Sequence, residues 1–291
     1  MNDFSNRLSI SAERPVDTLT LQILRLLDGL LRKEGIPYML VGASSRDLLL
    51  HHVYGHAVTR ATYDLDYAIL VDSWKQFNSV KHLILTMEGF TDKGRNPQRL
   101  YYRPPNAQFD AIIDTIPFGE LAKPDRTIAW PPNADVVMNV AAFTDVFASS
   151  IVIEIEPGLS IPVPSLAGLV ILKLFAWLDR RDAKDVQDIR RLLETYTDAG
   201  NLDRLYDEKP NELELLGFDT VLAGAYLLGE DAQRIANPQL LTNLRTVLQG
   251  KTATELVMQV ARTMSILEDR TRASSALLGC FFRGMGLDSL L

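Results

Sequence analysis

The sequence predicts an α/β fold followed by a helical C-terminal region, and two observations support this prediction. The first part of the chain alternates short runs of β-forming residues with segments in which apolar residues recur at helical spacing. After Asn201 only helical patterns remain. We therefore expect a core domain over residues 1–197 and a helical region over residues 198–291.

The individual elements follow from apolar spacing and from turn residues. Gly35 and Pro37 end the first helix, and Pro117 and Gly119 end the strongest strand. The predicted strands are Tyr38–Val41, Asp64–Val71 and Phe109–Phe118, with hairpins over Phe90–Arg103 and Ile151–Pro164. The predicted helices are Asp17–Glu34, Arg46–His52, Trp74–Met87, a helical stretch from Leu166 to Tyr196, Gly217–Leu228, Asp231–Ile235, Asn237–Leu248 and Thr252–Arg270.

Composition narrows the classes of function. The chain has a formal net charge of -7, which argues against bulk, sequence-independent binding to nucleic acid or to an anionic membrane. The most apolar segment, Leu166–Leu178, is interrupted by Lys173 and is shorter than the ~20 residues of a membrane span. The single cysteine, Cys280, excludes an intrachain disulfide. We therefore expect a cytoplasmic protein with no membrane partner.

Two carboxylates of one predicted strand form a candidate metal site. Asp64 and Asp66 are two residues apart, so strand alternation places both on one face and Leu65 on the other. Two acids this close raise each other's proton affinity unless a cation lies between them. Mg²⁺ is such a cation, because it binds carboxylate and phosphate oxygens. A solvent-facing strand with two ordinary acids is the simpler alternative.

A short segment upstream is suited to phosphate binding. Gly42-Ala43-Ser44-Ser45 connects a predicted strand to the helix that restarts at Arg46. Gly42 permits close backbone approach, and the serine hydroxyls and helix N-terminal amides can bind phosphate. The same residues also suit an ordinary strand-to-helix turn.

A third carboxylate, Asp114, lies in an otherwise apolar strand. A buried acid without a partner is unfavourable, and a metal ion shared with Asp64 and Asp66 would remove that cost. Asp110 is the competing third acid because it lies on the same strand face. We prefer Asp114, since Asp110 lies near the start of the strand.

A later helical segment combines lysines and aspartates. Lys173 lies among apolar residues, where its amine either extends to the surface or meets an anion. Lys184 and Asp188 have i,i+4 spacing, and Asp185 and Asp188 have i,i+3 spacing, so they can share one helix face. A salt-bridged, solvated face is the alternative.

The predicted hairpin Phe90–Arg103 interleaves basic and aromatic residues. Such a face can stack on bases and hold single-stranded RNA. The acidic charge of the whole chain favours the alternative, an ordinary exposed hairpin. The residues concerned are Lys93, Arg95, Arg99, Tyr101, Tyr102 and Arg103.

Taken in chain order, these motifs resemble those of the bacterial AbiEii nucleotidyltransferase family, within the DNA polymerase β-like superfamily. They are also similar to toxin components of abortive-infection and toxin–antitoxin systems. The resemblance covers about residues 16–197, and the Lys-Asp-x-x-Asp segment is more particular to this branch than the paired acids. The motifs are Gly42-Ala43-Ser44-Ser45, Arg60-Ala61-Thr62-Tyr63-Asp64-Leu65-Asp66, Asp114-Thr115-Ile116-Pro117-Phe118-Gly119, Lys173 and Lys184-Asp185-Val186-Gln187-Asp188.

The resemblance implies an α/β (α+β) nucleotidyltransferase fold, in which a mixed central sheet is flanked by helices. It also implies that three carboxylates hold Mg²⁺ or Mn²⁺ and that Lys173 or Lys184 neutralises phosphate charge. The implied metal ligands are Asp64, Asp66 and Asp114, and the implied catalytic set adds Lys173, Lys184 and Asp185. The implied nucleotide-binding set is Gly42, Ala43, Ser44, Ser45, Arg46, Thr62 and Asp188.

The resulting hypothesis is a nucleotidyltransferase that moves a nucleoside monophosphate from a nucleoside triphosphate to an acceptor hydroxyl and releases pyrophosphate. As the resemblance implies, the acceptor is expected to be the 3′ end of a tRNA, and the protein the toxin of a toxin–antitoxin or phage-defence system with a cognate antitoxin protein. A sugar-nucleotide or other small-molecule transferase is one alternative, although it leaves Asp114 and the Gly42–Ser45 segment unexplained. A catalytically silent nucleotide-sensing or protein-binding module is the other, and the intact acids count against it.

Overall fold

A computed structural model of the chain describes residues 7–58, 64–94, 96–105, 107–264 and 269–290. The chain divides into two compact units, Met1–Ser165 and Leu166–Leu291. The first unit contains the strands, and the regular elements described in the second are all helical. The predicted α/β class with a helical C-terminal region is confirmed.

The first unit alternates strands and helices in the order that the sequence predicts. Its helices are α1 (Thr18–Lys33), α2 (Gly42–Asp47), α3 (Trp74–Leu85) and α4 (Phe143–Ala148), and α2 continues into a π-helical segment, Leu48–Val53. Its strands are β1 (Arg7–Ser9), β2 (Tyr38–Val41), β3 (Asp64–Leu70), β4 (Phe90–Thr91), β5 (Arg99–Tyr102), β6 (Ala111–Phe118), β7 (Thr127–Ala129), β8 (Val137–Asn139), β9 (Ile151–Glu156) and β10 (Leu159–Val163).

A five-stranded mixed sheet forms the centre of this unit, in the order β2-β3-β6-β5-β4. Strand β3 pairs antiparallel with β2 and parallel with β6, while β5 pairs antiparallel with both β6 and β4. A parallel pair needs a long crossover, and here α3 and the β4–β5 hairpin lie within it. Smaller sheets contain β1-β9-β10 and β7-β8.

Helix α1 illustrates how the sequence forms the core. The Asp17 side chain accepts hydrogen bonds from the amides of Leu19 and Thr20, which caps the helix N-terminus. Four apolar residues at helical spacing are almost completely buried, so one face of α1 covers the core. These residues are Ile23, Leu24, Leu27 and Leu31.

The second unit is a bundle of short and medium helices. They are α5 (Leu166–Arg180), α6 (Ala183–Thr195), α7 (Leu202–Glu208), α8 (Pro210–Leu215), α9 (Thr220–Ile235), α10 (Pro238–Val247), α11 (Lys251–Thr263) and α12 (Arg270–Gly284). Helices α9 and α12 approach closely because both carry glycine at the crossing. A Cβ on Gly229 would overlap the carbonyl of Phe281, and one on Gly284 would overlap the carbonyl of Tyr226.

The compact units divide the chain earlier than the predicted boundary at residue 197. Helix α5 is buried around most of its circumference, and it packs with α6 and α9 inside the second unit. The apolar residues of α5 do not form a single stripe, so the helix buries them only when other helices pack against several of its sides. A functional core over 1–197 stays a prediction.

Several predicted elements are wrong in their limits. Residues 42–45 are the first turn of α2 rather than a turn before a helix. The two helices predicted over 217–235 are one continuous helix, α9, because Gly229 is tolerated where α12 packs against it. The helix predicted over 252–270 ends at Thr263, and α12 follows as a separate helix. Strands β1, β7 and β8 and helix α4 carry too little periodicity to be predicted.

No helix among the described residues is both long enough and apolar enough to cross a membrane.

Candidate active site

Strand register places the predicted carboxylates together. Asp66 on β3 lies directly opposite Asp114 on β6, and Asp114 lies directly opposite Arg99 on β5. Residues opposite one another in a sheet point to the same face, and Asp64 shares that face because it is two residues from Asp66. Carboxylate oxygens of Asp64, Asp66 and Asp114 all lie within 4.8 Å of one another. We call these three residues the acidic triad.

The donor set of the acidic triad fits a hard divalent cation. Three carboxylates supply oxygen ligands, which Mg²⁺ and Mn²⁺ prefer. Their oxygens converge to a spacing that a single bound ion can span. Among the described residues, no other set of three or more Asp, Glu, His or Cys side chains brings its possible ligand atoms this close together.

Gly42 makes room for the carboxylate of Asp66. Its backbone has φ of +72°, in the left-handed region that glycine adopts readily. A Cβ built on Gly42 would overlap Oδ2 of Asp66 and lie 2.9 Å from its Cγ. Another group does approach the Gly42 backbone closely, as predicted. That group is the carboxylate of Asp66, a member of the acidic triad.

The third carboxylate is held by a guanidinium group. Arg99 Nε donates to Oδ1 of Asp114 at 2.8 Å, and its Nη2 donates to Oδ2 at 2.6 Å. This fork-to-fork pair raises the pKa of Arg99 above its usual value, so the side chain is a permanent cation beside the triad. Sequence reasoning placed Arg99 on a basic and aromatic hairpin, favoured an ordinary exposed face there over RNA binding, and missed this role. The signal that could have revealed it is the cross-strand register with Asp114, which the sequence does not show.

Asp110, the competing third acid, has different partners. Lys93 Nζ donates to it at 2.6 Å, and Arg103 Nε donates to its other oxygen at 2.6 Å. These two cations lower the pKa of Asp110 to about 2, so it is ionised without a metal ion. Geometry therefore groups Asp114, and not Asp110, with Asp64 and Asp66.

Three polar residues of α2 were predicted to bind the nucleotide. Ser44 lies near the triad, whereas Ser45 and Arg46 are buried. Ser44 donates to the backbone carbonyl of Asp64 at 2.6 Å, which ties α2 to the start of β3. Ser45 is fully buried and donates to the carbonyl of Gly42, and Arg46 is 1% exposed and pairs with Asp47. Burial gives Ser45 and Arg46 structural roles here, so nucleotide contact through their side chains stays a prediction.

The remaining predicted nucleotide residues are Ala43 and Thr62. The Ala43 side chain is buried in the first turn of α2. Thr62 lies outside the described residues, as do Arg60, Ala61 and Tyr63 of the same motif.

A cavity of about 440 Å³ reaches one member of the acidic triad, Asp64. Ser44 and Asp64 line one part of it, and apolar residues of α1, including Ile23, line another. Phe109, which is 80% exposed, lies at its edge. The cavity therefore combines polar side chains with an apolar wall, as small-molecule sites usually do.

The lysine–aspartate motif forms a buried ion cluster in the second unit. Lys173 Nζ lies 2.6 Å from Asp188 Oδ2 and 3.3 Å from Asp185 Oδ1. Arg180 adds two hydrogen bonds of 2.7 Å to Asp185. This cluster joins α5 to α6, whereas Lys184 is exposed in the first turn of α6. Roles for these four predicted residues in phosphate binding or catalysis stay predictions.

Loss of Lys173 should destabilise the protein strongly. We expect Lys173→Met to lower the free energy of unfolding by about 3 kcal/mol, because it leaves the buried carboxylate of Asp188 without its ammonium partner. Urea denaturation measures this change. Lys184→Met is the matched control, and its exposed side chain should change stability by less than about 0.5 kcal/mol. Equal stability of the two variants would contradict the role of the cluster.

Basic residues of the β4–β5 hairpin also form ion pairs. Lys93 and Arg103 both pair with Asp110, and Lys93 lies 4.1 Å from the centroid of the Tyr101 ring. Their side chains are nevertheless 45% and 56% exposed. Arg95 lies outside the described residues. Among the described residues, the hairpin therefore keeps Lys93 and Arg103 as accessible cations, and Asp110 offsets part of their positive charge.

Comparison with known families identifies the family of the chain. The family described as nucleotidyl transferase AbiEii toxin, Type IV TA system, matches residues 26–240. The match covers more than half of the chain, so the protein belongs to the AbiEii nucleotidyltransferase family. Membership implies a nucleotide substrate and an antitoxin partner. The predicted family is thereby confirmed, and no curated protein matches the chain.

Solved structures include distant likenesses. An antigenic nucleotidyltransferase-like protein from Paracoccidioides brasiliensis is 16% identical, with a TM-score of 0.40, 74% of this chain covered and 94% of that one. A protein from H. pylori described as a candidate nucleotidyltransferase is 13% identical, with a TM-score of 0.37 and coverage of 95% and 99%. The antibiotic-resistance factor ANT(2'')-Ia is 12% identical, with a TM-score of 0.37 and coverage of 69% and 98%. Likenesses this remote do not bear on substrate or mechanism, and the family assignment rests on the match over residues 26–240.

Proposed function

We propose that this nucleotidyltransferase depends on a divalent metal ion and transfers a nucleoside monophosphate from a nucleoside triphosphate to an acceptor hydroxyl, releasing pyrophosphate. The convergence of the three carboxylates of the acidic triad is the observation that carries the proposal. Mg²⁺ or Mn²⁺ held there would supply charge stabilisation to the attacking and leaving oxygens of an in-line displacement.

The residues of the chain would orient the reactants. Asp64, Asp66 and Asp114 would fix the position of the metal ion, and Gly42 would leave space for the Asp66 carboxylate. Ser44 would keep α2 against the start of β3 through its hydrogen bond to Asp64. The cavity beside Ser44 and Asp64 provides room for part of the nucleotide or the acceptor. Precise orientation of this kind contributes a large share of the rate in phosphoryl transfer.

We further propose RNA as the acceptor, and specifically the 3′ hydroxyl of a tRNA. Two features support this choice: the toxin family to which the chain belongs, and the accessible cations of the hairpin, Lys93 over the Tyr101 ring and Arg103. Aromatic and cationic side chains together bind single-stranded nucleic acid by stacking and by phosphate contact. The cognate antitoxin would be a protein encoded with the toxin.

Radiolabelled nucleotides test the proposed reaction. Wild-type protein and Asp66→Asn are incubated with each α-³²P nucleoside triphosphate, Mg²⁺ and total cellular RNA, and the products are separated by size. We expect label in tRNA-sized RNA with wild type only, for a restricted set of bases. Label in protein or in a small molecule would replace RNA as the acceptor. Mg²⁺-dependent nucleotide binding without any labelled product would favour a nucleotide-sensing module.

A further inference from the structure

Exposed apolar side chains are concentrated in one part of the second unit. Of the twelve large apolar side chains that are exposed among the described residues, five lie between residues 202 and 221. They belong to α7, to the end of α8, to the following loop and to the start of α9, and these three helices pack against one another. Single exposed apolar residues are ordinary, whereas a group of them indicates a binding surface. We call this group the α7–α9 patch, which consists of Leu202, Tyr206, Leu215, Phe218 and Val221.

Phe218 is exposed on an unfavourable backbone conformation. Its φ is +63°, in the left-handed region that residues with a bulky side chain adopt rarely, and its side chain is 66% exposed. Its amide donates to the carbonyl of Leu213 at 2.8 Å, which holds it just beyond the end of α8. Glycine or asparagine would suit a solvated turn with this backbone better. An aromatic side chain at this position therefore indicates a contact with a partner.

The segment that carries the patch is strongly acidic. Residues 202–221 contain six acidic and two basic residues, a formal net charge of -4, compared with -7 for the whole chain. Both basic residues already pair with acids of α9. Arg204 lies 2.8 Å from Asp231, and Lys209 lies 2.7 Å from Glu230. The positive charges of the segment are therefore used within the second unit.

Three of the six acids are exposed and form no ion pair within the described part of the chain. Two of them, Asp203 and Asp207, each follow a patch residue of α7 by one position. Leu202 and Tyr206 have i,i+4 spacing, so they form an apolar stripe, and the two aspartates form an acidic stripe beside it. The third acid is Glu214 on α8. The α7–α9 patch is thus an apolar surface edged by negative charge.

This charge determines which class of partner fits. Nucleic acid and anionic membranes carry the same sign and would be repelled. In a symmetric dimer the patch would meet its own copy, so acids would face acids. We infer that the α7–α9 patch binds an amphipathic helix of another protein, one whose apolar stripe is edged by lysine or arginine. This inference concerns the second unit and is independent of the proposed transfer reaction.

A synthetic helical peptide of leucine and lysine tests the inference. Leucine occupies the positions of one helical face and lysine the others, and a control peptide has glutamate in place of each lysine. Fluorescence anisotropy of the labelled peptides measures their affinity for the whole chain. We expect the lysine peptide to bind at least about tenfold more tightly than the glutamate peptide. Equal affinities would overturn the inference.

Phe218→Asn tests the apolar part of the patch. Asparagine accepts a left-handed backbone, so the fold should be retained, and the lysine peptide should bind at least about tenfold more weakly. Met258→Gln is the matched control, because it removes an exposed apolar side chain from α11 in the same unit. Its affinity for the peptide should stay within about twofold of wild type. If Phe218→Asn binds as wild type does, the patch is not the binding surface.

Asp203→Asn combined with Asp207→Asn tests the acidic stripe. This double variant should bind the lysine peptide at least about fivefold more weakly, because two charges at the binding surface are lost. Asp72→Asn combined with Glu88→Gln removes two exposed acids from the first unit and should change affinity by less than about twofold. Equal weakening in the two double variants would mean attraction by net charge alone and would overturn the inference.

Hydrogen exchange of wild type locates the peptide without any substitution. Addition of the lysine peptide should slow exchange of amides within residues 202–221. Slower exchange confined to other segments would overturn the inference. Sedimentation at increasing protein concentration examines self-association. A dimer that is lost in Phe218→Asn would replace the cationic helix by a second copy of this chain as the occupant of the patch.

Discussion

Replacement of Asp66 by asparagine should reduce nucleotide transfer by on the order of a thousandfold, which corresponds to about 4 kcal/mol of lost transition-state stabilisation. Asparagine has nearly the same size as aspartate, so it still fits against Gly42. It lacks the negative charge, however, and Asp66 lies next to both other acids of the triad: Asp64 is two residues away on β3, and Asp114 lies directly opposite on β6. Single-turnover labelling of the acceptor measures the rate, and circular dichroism checks that the fold is retained.

Asp72→Asn serves as the matched control for this prediction. Asp72 follows β3 shortly after its last residue and is exposed, so the substitution removes the same charge from nearly the same segment. Its transfer rate should stay within about twofold of wild type. An Asp66→Asn variant that keeps near-wild-type activity would show that transfer does not use the acidic triad.

Replacement of Gly42 by alanine should have the second largest effect, a loss of transfer of at least about a hundredfold. Two causes act together. The backbone φ of +72° disfavours any side chain, at a cost of about 1–2 kcal/mol. The new methyl group would also overlap the Asp66 carboxylate and force it away from Asp64 and Asp114. Thermal unfolding reports the first effect, and Mn²⁺ affinity with transfer rate reports the second.

Gly35→Ala separates these two causes. Gly35 has a similar φ of +64°, but a Cβ there meets nothing within 4 Å. Alanine at this position should therefore lower stability by about 1 kcal/mol and leave Mn²⁺ affinity and transfer unchanged. If both variants lose activity equally, backbone strain rather than the contact with Asp66 explains the result.

The elements with strong apolar spacing were predictable from the sequence. Helix α1 and strands β2, β3 and β6 agree with the predicted limits to within about two residues, because burial on one face dictates their pattern. Elements without such a pattern, including β7 and β8, were missed. Helix α12 was missed for a different reason. Its mixed surface gives little contrast between buried and exposed residues, and its packing depends on Gly284.

The acidic triad was predictable only in part. Alternation along β3 relates Asp64 to Asp66, and an acid within an apolar strand marks Asp114 as unusual. No local sequence pattern specifies which strands pair. The pairing of Arg99 with Asp114 could therefore be found only from the structure. The same holds for Lys173, whose apolar neighbours indicated an anion partner without showing that Asp185 and Asp188 already supply it.

Parallel pairing of β3 with β6 delays assembly of the acidic triad during folding. Asp66 and Asp114 are neighbours in the sheet but roughly 50 residues apart in the chain, and closing so long a loop is slow compared with forming a hairpin. A ribosome must therefore release the chain beyond Phe118, the last residue of β6, before the triad can exist. During synthesis, a fragment that ends before β6 lacks Asp114, so the complete triad forms only late in translation.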